Sequence, residues 1–384
     1  MDNEFVIAAC QAIIQVNNEY WFITHKNRCL YRMNIEEETV KIETVLGRAD
    51  GTFQFSDITY YKDKLIITPR KADEIYIYNL KTKQKNEIKI GFQKEFIGSK
   101  FNSTIQKDNY LYLIPYNYNS IVIFNLETEN YEIFSISKND HDNQQYFCWE
   151  KAVMVNEYIY IPYKSQKSII KFDIRTNSYE KILPDNQEIA CMGIQLIDNK
   201  MWLIPCDVED GISIWDPNTD EIVKKIILKN IITKNKYWLP AAIFNKSYYN
   251  NNALYLSACS IEENMVIDTD TYEISTWNMP YDIRNIPKTS GTYLWRNITI
   301  FEYNGRIYFI NGINGEWYYF ENGDFQQLKI RTDYYNDDML SIHYHDDLKY
   351  LINLVNIAND LNIDIGDIRD NIGTKIYKSI NGQG

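Results

Sequence analysis

Along most of the chain, apolar residues come in runs of four to six, cut by short polar turns. "KLIITP" (64–69), "YLYLIP" (110–115), "YIYIP" (158–162) and "MWLIP" (201–205) are such runs, and "YWFITH", "ALYLSA" and "RIYFIN" bring their number to seven. They are β-branched and aromatic and too short for a helix. They therefore predict short strands. Four end in proline, at Pro69, Pro115, Pro162 and Pro205. Proline offers no amide hydrogen to a ladder, so a strand stops or bends there.

A second phrase follows each of the first six runs: "YRMNIEEET", "YIYNLKTKQ", "VIFNLETEN", "IKFDIRTNS", "SIWDPNTDE" and "MVIDTDTYE". Its Asn or Asp falls at Asn34, Asn79, Asn125, Asp173, Asp216 and Asp268, in steps of 45, 46, 48, 43 and 52 residues. Thr stands three residues later in five copies, and Glu37 in the first. An Asx side chain can accept hydrogen bonds from backbone amides just beyond it and so imitate a turn. The threonine adds a second local hydroxyl. The phrase predicts a tight hairpin, with structural rather than catalytic roles for these residues. The seventh unit uses Asn322-Gly323, a strong two-residue hairpin signal. With an apolar run upstream of each phrase, every unit reads as four short strands over about 46 residues.

Four strands in such a period is the signature of a propeller blade. On these hairpins and seven strand phrases the chain resembles the β-propeller superfamily, kelch-like and other β-strand-repeat propellers being nearest. It lacks the paired glycines of the kelch type, and Trp215-Asp216 is its single Trp-Asp pair. The expected fold is all-β, a seven-bladed propeller over residues 1–335. How the two ends meet is open: blades one and seven each have four strands of their own, and Glu4–Ala8 could add an outer edge.

From residue 336 the period changes. Leu348, Leu351, Ile352, Val355, Ala358 and Leu361 share one helical face, as do Ile368, Ile372, Ile376 and Ile380. Two amphipathic helices, roughly 344–361 and 366–380, are expected as a C-terminal extension. Their apolar faces would be buried on the propeller itself, or in a homodimer or partner surface, or would belong to a tail that orders only on binding.

A formal net charge of −12 without a basic block argues against nucleic-acid binding. Asp2 and Glu4 stand where a signal peptide would be positive, and no run approaches the length of a membrane span, so a soluble, cytoplasmic protein is expected. The six cysteines form no CxxC pair and read as reduced, buried thiols. The Asn-x-Ser/Thr triplets at Asn102, Asn245 and Asn297 are expected by chance in an Asn-rich chain.

In a propeller the first strand of each blade lines the channel. The link between second and third strands shares a face with the inter-blade links, so the prolines mark that face. The longest links are 137–146, 229–239 and 278–293, and long loops carry function. Ligand-binding candidates at the mouth are Gln11, Arg70, Asn102, Tyr116, Trp149, Tyr163, Trp238, Trp295, Arg296 and Asn311, an aromatic-rich set with convergent polar groups. Glu150, Asp57 and His25 are the candidate acids and bases, and Arg296 a carboxylate clamp. No metal or cofactor motif is found: His343 and His345 lack an evident third ligand. A binding or scaffold role for a peptide, protein or small polar ligand is favoured. The alternative is an enzyme of lyase, glycan-active or peptide-cyclising type, which rests on fold analogy.

Overall fold

The computed structural model describes residues 10–24, 28–47, 54–92, 98–136, 147–228, 243–258, 261, 264–277, 299–310, 316–321 and 324–333. These residues form seven sheets, one per repeat, each built on four antiparallel strands in chain order and here numbered as blades one to seven. Their first strands are Cys10–Val16, Phe55–Tyr61, Phe101–Lys107, Val153–Val155, Cys191–Ile197, Phe244–Asn250 and Thr299–Tyr303. Blade two shows the plan: Phe55–Tyr61, Lys64–Pro69, Glu74–Asn79 and Lys85–Lys89 pair in chain order. Two compact units result. Phe55–Lys234 with Pro240–Trp277 contains blades two to six, and Met1–Gln54 with Asn235–Leu239 and Asn278–Gly384 contains blades one and seven.

Why the second-strand runs are apolar throughout is visible in the packing. Ile66, Ile75 and Ile77 of blade two join Leu111, Leu113, Val122 and Phe124 of blade three in one buried cluster. Tyr112 and Ile123 of blade three join Ile159, Ile170 and Phe172 of blade four in the next. Opposite faces of one sheet thus feed two cores, so alternation disappears from the inner strands. Fourth strands lie at the rim: Lys85–Lys89 is almost wholly exposed and rich in charge, which blunts an open edge.

The Asx hairpins form in all six repeats. Asn125 Oδ1 accepts from the amides of Glu127 (2.9 Å) and Thr128 (3.0 Å), and Asp268 Oδ1 from those of Asp270 (3.0 Å) and Thr271 (2.7 Å). Asn34, Asn79, Asp173 and Asp216 accept in the same way. Thr82 and Thr271 take the amide two residues on. The fourth residue after the Asx is left-handed in every copy: Glu38, Lys83, Glu129, Asn177, Asp220 and Tyr272 have φ from 51° to 62°. The repeat phrase gave no hint of this, because no glycine stands there. Strands end at Pro69, Pro115 and Pro205 as expected, and run one residue past Pro162 to Tyr163.

The meeting of the ends is decided within the smaller unit. Arg331–Asp333 runs parallel to Thr39–Lys41 as a fifth strand on the outer edge of blade one. Blades seven and one share a core containing Tyr20, Phe22, Phe301, Tyr308 and Trp317. The expected outer edge at Glu4–Ala8, the Asn322-Gly323 turn, the three long links and both C-terminal helices lie outside the described residues.

Replacing Asn125 by Ala removes an acceptor for two amides and is expected to cost about 1 kcal/mol, read as a lower urea midpoint with unchanged m value. Asn125→Asp is expected to keep most of the stability.

Candidate functional site

Each first strand pairs on one side only, so its other edge presents amides that need acceptors. In the five-blade unit, carboxylates supply two of them. Asp57 Oδ2 accepts the Thr104 amide (2.8 Å) and hydroxyl (2.7 Å) from the next blade, while Oδ1 accepts the Ile58 amide (2.9 Å). Glu150 Oε1 accepts the Ser247 amide at 2.7 Å, and the Ser247 hydroxyl lies 2.9 and 2.7 Å from Oε1 and Oε2. That hydroxyl donates to the carboxylate and accepts from Gln195 Nε2 (2.7 Å).

Glu150 belongs to the lead-in to blade four but reaches blade six. Residues 149–151 lean on the first strand of blade five: Trp149 and Glu150 amides donate to Met192 O (2.9 and 3.0 Å), and Ile194 N donates to Lys151 O (2.9 Å). The carboxylate then crosses directly over Gly193, where an added Cβ would lie 2.7 Å from Oε2, 3.2 Å from Glu150 Cβ and 3.2 Å from Lys151 N. Glycine is required there for close approach. Glu150 is 4% exposed, and burial pushes its pKa up, opposed by Lys246 and the Ser247 bonds. Burial also raises Asp57, opposed by Thr104, Ile58 and Lys246.

Three of the sequence-predicted ligand residues come together beside these carboxylates. The Arg70 guanidinium lies over the Tyr116 ring (5.7 Å), Tyr116 meets Trp149 edge-on (5.4 Å), and Trp149 Nε1 donates to Asn245 Oδ1 (3.3 Å). Arg70 and Tyr116 each follow a second-strand proline, so the prolines do mark one end of the blades. Burial lowers the pKa of Arg70, partly offset by Tyr116, and burial followed by Arg70 lowers that of Lys71. Lys100 is the structural cation beneath: its Nζ donates to Lys71 O (2.8 Å), pairs with Asp73 (3.0 Å) and lies 4.8 Å from the Phe92 ring centroid.

The remaining candidates divide. Tyr163 stacks on Phe147 (4.3 Å) as a packing residue. Asn102 is a bulge residue, 6% exposed, whose Oδ1 has no hydrogen bond among the described residues. His25, Trp238, Trp295, Arg296 and Asn311 lie outside the described residues, as does the side chain of Gln11. Sequence reasoning missed Thr104, Ser247, Gly193 and Lys246. A signal existed for two: "FNST" (101–104) and "FNKS" (244–247) set a bulged Asn before the hydroxyl that meets a carboxylate. Those are two of the triplets ascribed to chance. Both asparagines are buried, so the recurrence reflects a shared structural need.

No protein-family model matches the chain, and no curated protein matches it. Solved structures do. The β-propeller domain of Cps50 (Swd1) from Myceliophteria thermophila superposes with a TM-score of 0.56 at 9% identity, covering 83% of this chain and 99% of that one. YCF48, solved bound to the D1 peptide, gives 0.55 at 10% identity, with coverages of 79% and 90%. The computationally designed protein Ika8 gives 0.51 at 10%, with 83% and 97%. The fold is a seven-bladed β-propeller. At these identities the likeness concerns the propeller architecture alone, and no kelch-type subfamily is indicated. Among the described residues, no helix is long and apolar enough to cross a membrane.

Two predictions test the buried carboxylate. Gly193→Ala forces Glu150 out of place and is expected to destabilise by about 1–3 kcal/mol. Gly91→Ala, whose Cβ would make only a 3.6 Å contact with Tyr131 Oη, serves as its near-neutral control. Because the folded-state pKa of Glu150 is raised above the ordinary 4.5, its contribution is fully present below that value and is lost as pH rises through the folded value. Denaturation measured from pH 4.5 upward should therefore show the stability difference between Glu150→Gln and the parent moving in favour of the variant. A flat difference would contradict the raised pKa.

Proposed function

We propose that the propeller is a binding or scaffold module whose proline-marked end receives a peptide, protein or small polar ligand at the Arg70–Tyr116–Trp149 run. One observation carries the reading. A cation, a phenol and an indole from three consecutive blades touch in sequence beside buried polar groups, the mix by which pockets orient ligands. YCF48, a fold neighbour, was solved with a bound peptide, which is consistent with recognition but identifies no ligand here. An enzymatic role for Glu150 and Asp57 is the second reading, favoured by their burial-raised pKa values. Against it, Glu150 is held by Ser247 and lies by no second described titratable hydrogen-bond partner.

Native mass spectrometry of the protein purified from its own cells would identify the retained ligand. Arg70→Gln and Trp149→Ala are each expected to weaken its binding about ten-fold or more. Binding unchanged in both variants would reject this site. Turnover of the ligand that disappears in Glu150→Gln would replace the first reading by the second.

A further inference from the structure

The opposite end of the blades, where the Asx hairpins stand, carries a cleft between neighbouring blades in two places. One, of about 450 Å³, lies between blades three and four and is lined by Tyr110, Tyr112, Ile123, Ile174 and Asn177 among others. Its counterpart between blades seven and one, about 440 Å³, has Arg306, Tyr308, Tyr319, Ile35 and Glu38 at the corresponding strand and turn positions. The two linings share tyrosines and differ in their charged groups. The first cleft offers three tyrosines, Tyr110, Tyr112 and Tyr131, one carboxylate, Glu132, and the amides of Asn125, Asn130 and Asn177. The second offers three tyrosines, Tyr303, Tyr308 and Tyr319, and two carboxylates, Glu36 and Glu38, both in one hairpin.

The second cleft has the features of a cation receptor. Tyr303 and Tyr308 lie 6.4 Å apart at 61°, and Tyr308 and Tyr319 5.6 Å apart at 41°; Tyr303 and Tyr308 reach the cavity from the blade core, each less than a tenth exposed. One cation already exploits them: the Arg306 guanidinium stands 5.2 Å over the Tyr319 ring. Arg306 is ion-paired with Glu321, and among the described residues Glu36 and Glu38 are the lining charges without an ion pair. Glu36 uses Oε1 for the Tyr303 hydroxyl (2.8 Å), and Glu38 uses Oε2 for the Lys329 amide (3.2 Å). The second oxygen of each carboxylate has no hydrogen bond among the described residues. Aromatic rings and carboxylate oxygens together suit an N–H-bearing cation.

We propose that the cleft between blades seven and one docks a basic side chain of a partner protein, its ammonium or guanidinium held by Glu36 and Glu38 against Tyr303 and Tyr308. The proposal stands whether or not the Arg70–Tyr116–Trp149 run binds a ligand.

The full-length protein is titrated with the peptide acetyl-Gly-Gly-Lys-Gly-Gly-amide, and with its Nε-acetyl-lysine form, by saturation-transfer NMR. The lysine peptide is expected to bind, the acetylated one to bind at least about ten-fold more weakly, and added salt to weaken the former. The isosteric double variant Glu36→Gln/Glu38→Gln, with its thermal melt checked against the parent, is expected to lose about ten-fold in affinity. Tyr110→Ala, in the other cleft, is expected to leave binding unchanged. No binding of the lysine peptide, equal binding of the acetylated peptide, or full affinity in the folded double variant would each overturn the proposal. Binding of n-butylammonium without binding of the peptide would overturn the assignment to a protein partner.

Discussion

A four-stranded sheet with two apolar faces cannot stand alone in water. Each face must be covered, and here the cover is another copy of the same sheet. Ile77 and Phe124 meet in one core, Tyr112 and Phe172 in the next. This mutual burial explains the runs of apolar residues in second and third strands and the exposed, charged fourth strands. It also explains why the turn grammar repeats so closely. A hairpin that mis-set its register by one residue would turn a buried face outward, and the Asx acceptor fixes that register locally.

The same arrangement creates a polar problem at the inner edge. First strands pair on one side only among the described residues, so their free-edge amides need acceptors. Asp57 and Glu150 answer with carboxylates that accept an amide and a hydroxyl together. Burial that raises their pKa values is therefore a cost of structural hydrogen bonding, and a raised pKa alone is a poor guide to catalysis here. The contrast with the neighbouring Arg70, Tyr116 and Trp149 is instructive. Those side chains touch one another through ring faces and edges, contacts that a ligand can share.

The junction of the first and last repeats uses different means. Besides the shared aromatic core, Tyr20 donates to Glu302 O (2.7 Å), Tyr303 donates to Glu36, and Arg331–Asp333 extends the outer edge of blade one. The strand is short and parallel, and it meets the one fourth strand that has a partner beyond its own blade among the described residues.

By itself the sequence determined the number of sheets, their four-strand plan, the position of every Asx hairpin and the end at which the prolines lie. All of these follow from local periodicity and turn chemistry, which short stretches of chain encode. It also pointed to Arg70, Tyr116 and Trp149 one by one, as residues at strand ends. Only the tertiary structure decided that those three form a run, that Glu150 crosses Gly193 to reach Ser247, and that Lys246 tempers two carboxylates. The fifth strand on blade one and the cleft between blades seven and one were likewise hidden. Each of these depends on which blades stand side by side, and contacts between residues far apart in the chain leave no trace in the periodicity of either segment. The left-handed residue after each Asx is local, but no glycine announced it.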